Sequence, residues 1–190
     1  MFKNFKRKLF SLFLTALISM VMLAPAGVLA DSDTINYKYL IGTVPLCGFD
    51  PTACPDISVS SNDDTIEITG EGTFSIHPKS VTGGGAFVHK NSDGDVLGSG
   101  TWEAVRLLTF RSYGSGAAQG LPSEFEGGKA LMRVHLTPDS DGPGFDAILW
   151  VDCTLGDKIP TSAKEGIRLA VRGAPNFNKE VSGFTLFIRE

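Results

Sequence analysis

The sequence predicts an all-β protein, a single antiparallel up-and-down β-barrel of about eight strands, with a β-sandwich as the alternative. Three observations lead there. Beyond residue 30, apolar and polar side chains alternate with a period of two, and no segment keeps a helical apolar stripe over three turns. Short turn sequences such as Asp93-Gly94 and Gly156-Asp157 separate the alternating runs. A glycine and aromatic unit also recurs on consecutive runs, as Gly70-Glu71-Gly72-Thr73-Phe74, Gly83-Gly84-Gly85-Ala86-Phe87 and Gly98-Ser99-Gly100-Thr101-Trp102.

Residues 1–30 read as a signal peptide. Lys3, Lys6, Arg7 and Lys8 precede an apolar run over residues 9–23, and Pro25 with Val28-Leu29-Ala30 fits cleavage after Ala30. The run is too short and wrongly flanked for a membrane span. The expectation is a secreted or periplasmic protein with no stable membrane insertion once the signal is gone. No Leu-x-x-Cys marks a lipid anchor. Taking these four from the 17 basic residues leaves 13 against 21 acidic ones, a formal charge of −8 for the rest. An acidic surface repels phosphate backbones, which argues against a nucleic-acid partner.

Residues 31–64 hold a weak strand at 35–44 and a loop with two cysteines. Export favours disulfides. Cys47 and Cys54 bracket a short loop, so a bridge between them is the first expectation. A bridge from either to Cys153 is the competitor. Cys153 lies in an apolar run and otherwise reads as an inert buried thiol. No C-x-x-C or paired histidines accompany these residues, so no zinc site is predicted.

Residues 65–190 form the expected barrel core. The clearest strand is Thr65 to His77, with Ile66, Ile68, Phe74 and Ile76 on one face. Further runs follow at 81–91, 95–111, 129–137, 145–155, 165–172 and 181–189. The segment 112–128 breaks this rhythm and reads as a long loop of functional interest. Trp150 and Ile148 fall on an outer row, either as a contact surface or beneath that loop.

In each glycine unit the two glycines and the aromatic share one face, which in the first unit is the face of Ile66. A two-residue turn at Asp93-Gly94 would set Phe87 opposite Gly100 and Trp102 opposite Gly85. A four-residue loop from Pro78 to Val81 would set Phe74 opposite Gly85 and Phe87 opposite Gly72. Large rings would then shield backbone that glycine leaves bare, while glycine permits the bending a closed sheet needs. A dinucleotide motif is excluded, because Ser75, Val88 and Glu103 stand where a third glycine is required.

Parity also turns His89 and Arg106 inward, near Trp102, unless a bulge close to Ala104 turns Val105 and Leu107 in and Arg106 out. With Tyr113 from the long loop, His89, Trp102 and Arg106 form the candidate ligand-binding set. Catalytic motifs are missing: no G-x-S-x-G, H-E-x-x-H or P-loop occurs. The turns at Asn91–Asp95 and Asp139–Gly142 lack the glutamate that a twelve-residue calcium loop requires. No catalytic residue, metal or cofactor is predicted.

The serial glycine and aromatic strands resemble small secreted β-barrels of the lipocalin-like and allene-oxide-cyclase-like or dirigent-like architecture. The resemblance rests on three short units and implies a fold, not a function. The first functional expectation is a secreted binding module whose open end, framed by 112–128, admits a small apolar ligand. A barrel cyclase or isomerase using His89, Arg106 or Tyr113 is the second. A non-catalytic envelope or extracellular structural protein acting through outer-row residues such as Trp150 is the third.

Overall fold

The computed structural model describes residues 34–190; the signal-peptide expectation for residues 1–30 lies outside the described residues. The described residues are all-β, as expected, but they form ten strands where about eight were anticipated. They are β1 (Asn36–Ile41), β2 (Asp56–Ser60), β3 (Thr65–Ser75), β4 (Ser80–Lys90), β5 (Val96–Ser115), β6 (Phe125–Pro138), β7 (Phe145–Cys153), β8 (Gly166–Val171), β9 (Phe177–Ser182) and β10 (Thr185–Arg189). A four-residue helix, α1 (Leu46–Phe49), and a single 3₁₀ turn at Pro51–Ala53 join β1 to β2.

All ten strands belong to one antiparallel sheet in the order β1-β10-β6-β5-β4-β3-β2-β9-β8-β7. Extra pairings of β1 with β3 and of β6 with β7 close it partly into a ring. The connection is not a plain meander. Long β3 pairs its first half with β2 and its second half with β1, while β6 meets β10 near Phe125 and β7 from Gly128 onward. The thinnest join is β8 to β9, a single ladder pair between Leu169 and Phe177.

β2 escaped the sequence pattern for a physical reason. Its buried row is polar, Asp56, Ser58 and Ser60, while Ile57 and Val59 are half-buried on the other side. β9 is similarly muted, since Phe177 is its only buried residue.

The glycine and aromatic units lie on β3, β4 and β5. Phe87 pairs with Gly100 and Gly85 with Trp102, as expected, although the two-residue turn behind that expectation does not form: Lys90 pairs with Val96, and a bulge between His89 and Lys90 restores the register. The β3–β4 register differs from expectation: Ser75 pairs with Ser80, so Phe74 faces Val81 and Gly85 faces Gly70. The loop is Ile76–Lys79 because the Ile76 N–H leaves the ladder to donate to the Ile35 carbonyl, and Pro78 has no N–H to offer. Glycine is shielded all the same, by different rings. Trp102 covers Gly70 and Tyr39 covers Gly72, each at 2.5 Å from where a Cβ would stand.

The ring is filled at the β1 and β10 end by Tyr37, Phe74, Phe110 and Phe187, whose nearest ring centroids lie 4.8 to 5.8 Å apart. Aliphatic residues including Met132, Val134, Leu149 and Ile167 continue this core and are fully buried. A disulfide joins Cys47 to Cys54 and Cys153 is a buried free thiol, so the first expectation holds over its competitor. No helix among the described residues is long and apolar enough to cross a membrane.

Candidate functional site

A cavity of about 300 Å³ opens at the end of the ring away from the aromatic cluster. It lies where the β4–β5, β6–β7 and β8–β9 connections meet, so its walls come from residues far apart in the chain. Ile66 of β3, Phe87 of β4, Leu136 of β6, Leu169 of β8 and Phe177 of β9 form the apolar lining. Leu97 and Phe145 stand on its rim and remain 57% and 43% exposed. The room is created by a glycine: His89 pairs across the ladder with Gly98, and a Cβ at Gly98 would meet nothing within 4 Å.

Few polar groups reach this cavity. His89 presents its ring edge-on to Phe177, with centroids 5.3 Å apart, and its Nε2 lies 3.3 Å from Asp64 Oδ2. Ser99 lines the wall and donates its hydroxyl to Asp139 Oδ2 at 2.7 Å. Ser140 and Arg172 complete the polar lining. A mostly apolar concavity with a small number of placed polar groups has the chemistry of a small-molecule site.

Of the four residues expected to bind a ligand, only His89 lines this cavity. Trp102 is buried in the core, where its indole N–H donates to the Thr69 carbonyl at 3.0 Å. Arg106 is exposed on the outer face, contrary to simple parity. A β-bulge between Ala104 and Arg106 shifts the register by one residue and buries Leu107 instead, while Val105, expected to turn in with it, is the extra residue of the bulge and stays exposed. Tyr113 sits at the opposite end of β5, where burial and the neighbouring Asp152 carboxylate push its hydroxyl up to about 12. His89, Arg106 and Tyr113 are therefore not brought together.

The segment 112–128 does not frame the cavity either. β5 runs on to Ser115, β6 starts at Phe125, and a 3₁₀ turn at Gly116–Gln119 links them. The Gln119 side-chain amide exchanges two hydrogen bonds with the Gly156 backbone, pinning this segment to the β7–β8 connection. Trp150 stays on the outer row, with the Arg168 guanidinium 5.9 Å above its ring.

A second polar grouping, missed from the sequence, lies between β2, β8 and β10. Asp56 is fully buried; its Oδ1 accepts from the Ile167 N–H at 3.1 Å, and its Oδ2 has no partner among the described residues. Burial, then the nearby Glu165 charge, pushes its carboxyl up to about 8. Glu165 accepts from the backbone N–H and hydroxyl of both Thr154 and Thr185, at 2.7 to 3.0 Å. Glu180 pairs with Arg168 Nε at 3.0 Å. Asp56 and Glu165 satisfy backbone donors where the β8–β9 ladder is sparse, and Glu180 holds Arg168; these are structural roles. Among the described residues no group of three or more His, Cys, Asp or Glu side chains is arranged to hold a metal ion.

Comparisons with family models, with curated proteins and with solved structures found no match to this chain.

Proposed function

We propose that this protein is an exported β-barrel binding module that takes a small apolar molecule into the cavity beside His89. The observation that carries the reading is the cavity itself, about 300 Å³ with apolar walls and exposed Leu97 and Phe145 at its mouth. Exposed apolar rims cost solvation unless a ligand covers them, and a volume of this order is at the lower end of small-molecule sites. The disulfide between Cys47 and Cys54 fits an oxidising compartment, in line with the basic and apolar leader.

A filling variant tests it. Gly98 has room for a side chain and does not need a positive φ, so Gly98→Phe places a ring in the cavity without disturbing the ladder. We expect Nile red to bind the unmodified protein saturably, with a blue-shifted emission, and Gly98→Phe to lose at least tenfold in affinity at unchanged thermal stability. Equal binding by both proteins would place the dye elsewhere and overturn the reading.

A further inference from the structure

The charge in the cavity lining itself is one-sided. Of the residues that line it only His89 and Arg172 can carry charge, and both can only be positive. The chain is rich in acidic side chains, 21 in all, yet among the described residues none lines this space. Of the carboxylates next to the lining, Asp64 holds His89, Asp139 accepts from Ser99 and Asp146 pairs with His135, while Asp141 is exposed beside Ser140.

Arg172 is the one arginine of the lining, and it has no carboxylate within salt-bridge distance among the described residues. It is exposed in the β8–β9 turn, directly after Val171, which is itself part of the apolar wall. A guanidinium at the lip of an apolar cavity offers a fork of donors to one anionic group, while the ligand's apolar body is buried below it.

Resting on the binding function proposed above, we infer that the ligand is a small amphipathic carboxylic acid, its hydrocarbon in the cavity and its carboxylate on Arg172. Ser140, on the facing β6–β7 turn, and His89, deeper on β4, supply further hydrogen-bonding groups on the same cavity. A ligand with a cationic head would instead set its charge against Arg172, and a neutral one would leave the guanidinium unused.

Calorimetric titration with three probes of equal chain length, decanoate, decanol and decyltrimethylammonium, separates these cases. Decanoate is expected to bind at least tenfold more tightly than the other two. Arg172→Gln should bring decanoate down to the level of decanol while leaving decanol unchanged, and Arg172→Lys should restore part of the difference. Added salt should weaken decanoate alone. Equal affinities for decanoate and decanol in the unmodified protein, or an Arg172→Gln variant that binds decanoate normally, would overturn the inference and leave the apolar site standing. Failure of all three probes to bind would overturn the site and the inference together.

Discussion

The Trp102 ring occupies the space that a side chain on Gly70 would need. A Cβ at Gly70 would lie 2.5 Å from Trp102 Cζ2 and 2.5 Å from the Gly84 carbonyl oxygen, one of them fixed backbone. Indole burial and glycine are thus one device shared by β3 and β5 across the intervening β4. We expect Gly70→Ala to destabilise the fold by about 1–3 kcal/mol, because the strands must spread or the indole must leave its rotamer. Gly98→Ala, where nothing lies within 4 Å, should be neutral or stabilising by about 0.4–1 kcal/mol through the unfolded chain. Denaturant midpoints of the two variants measure the contrast; equal midpoints would mean that the indole does not lie on Gly70.

Asp56 gives the stability a dependence on pH. Its carboxyl is pushed from an ordinary value of 3.8 up to about 8 by burial and by Glu165. The folded state then holds a proton that the unfolded chain has released, so stability falls as pH rises from about 4 to about 8. This one group contributes a slope on the order of 1.4 kcal/mol per pH unit within that window. Asp56→Asn keeps the acceptor for the Ile167 N–H and removes the ionisation. Thermal melts from pH 5 to 9 should show a flatter profile for the variant and a higher melting temperature than the unmodified protein at pH 9. Parallel profiles would mean that Asp56 ionises normally.

How much of this was legible in the sequence depended on where the information was local. The period-two pattern exposes a strand when its buried row is apolar, as in β3, where Ile66 and Ile68 are buried and Glu67 is not. β2 carries the reverse assignment, with buried Asp56 and Ser58 held by Ile167 N–H and the Lys179 carbonyl, over a hundred residues away in sequence. No pattern within the strand announces those partners. The β4–β5 register matched expectation although its turn is longer, because a bulge at His89 and Lys90 offsets the difference, whereas the β3–β4 register did not match: Ser75 pairs with Ser80, and the Ile76 N–H bonds to Ile35, on the segment leading into β1. The cavity was the least legible feature. Its walls come from seven strands, and of its residues only His89 was expected to bind a ligand, since hairpin ends meet through topology that alternation does not encode.

The three cysteines give a chemical test of the N-terminal arrangement. The thiol of Cys153 is buried and its ionisation is suppressed, chiefly by burial. Ellman's reagent should leave the native protein unreacted and should titrate one thiol per chain in guanidinium without reductant. Three reactive thiols would contradict the Cys47–Cys54 bond. That bond spans a sequence separation of 7, so the loop it closes in the unfolded chain is short. Replacing both cysteines by serine should cost about 2–3 kcal/mol, measured as a lower denaturant midpoint with an unchanged slope.

The bulge in β5 decides which of two neighbours faces the core. Without it, parity would point Arg106 inward and Leu107 out; with it, Leu107 is 2% exposed, Arg106 is exposed and Val105 is 46% exposed. Burying an unpaired guanidinium would cost far more than the bulge's lost ladder bond, so the bulge resolves a conflict between strand parity and charge. Leu107→Ala should destabilise by about 2–5 kcal/mol through cavity formation. Arg106→Ala should stay within about 0.5 kcal/mol, as an exposed site does. The opposite ranking in equilibrium unfolding would restore the unbulged register and place Arg106 inside.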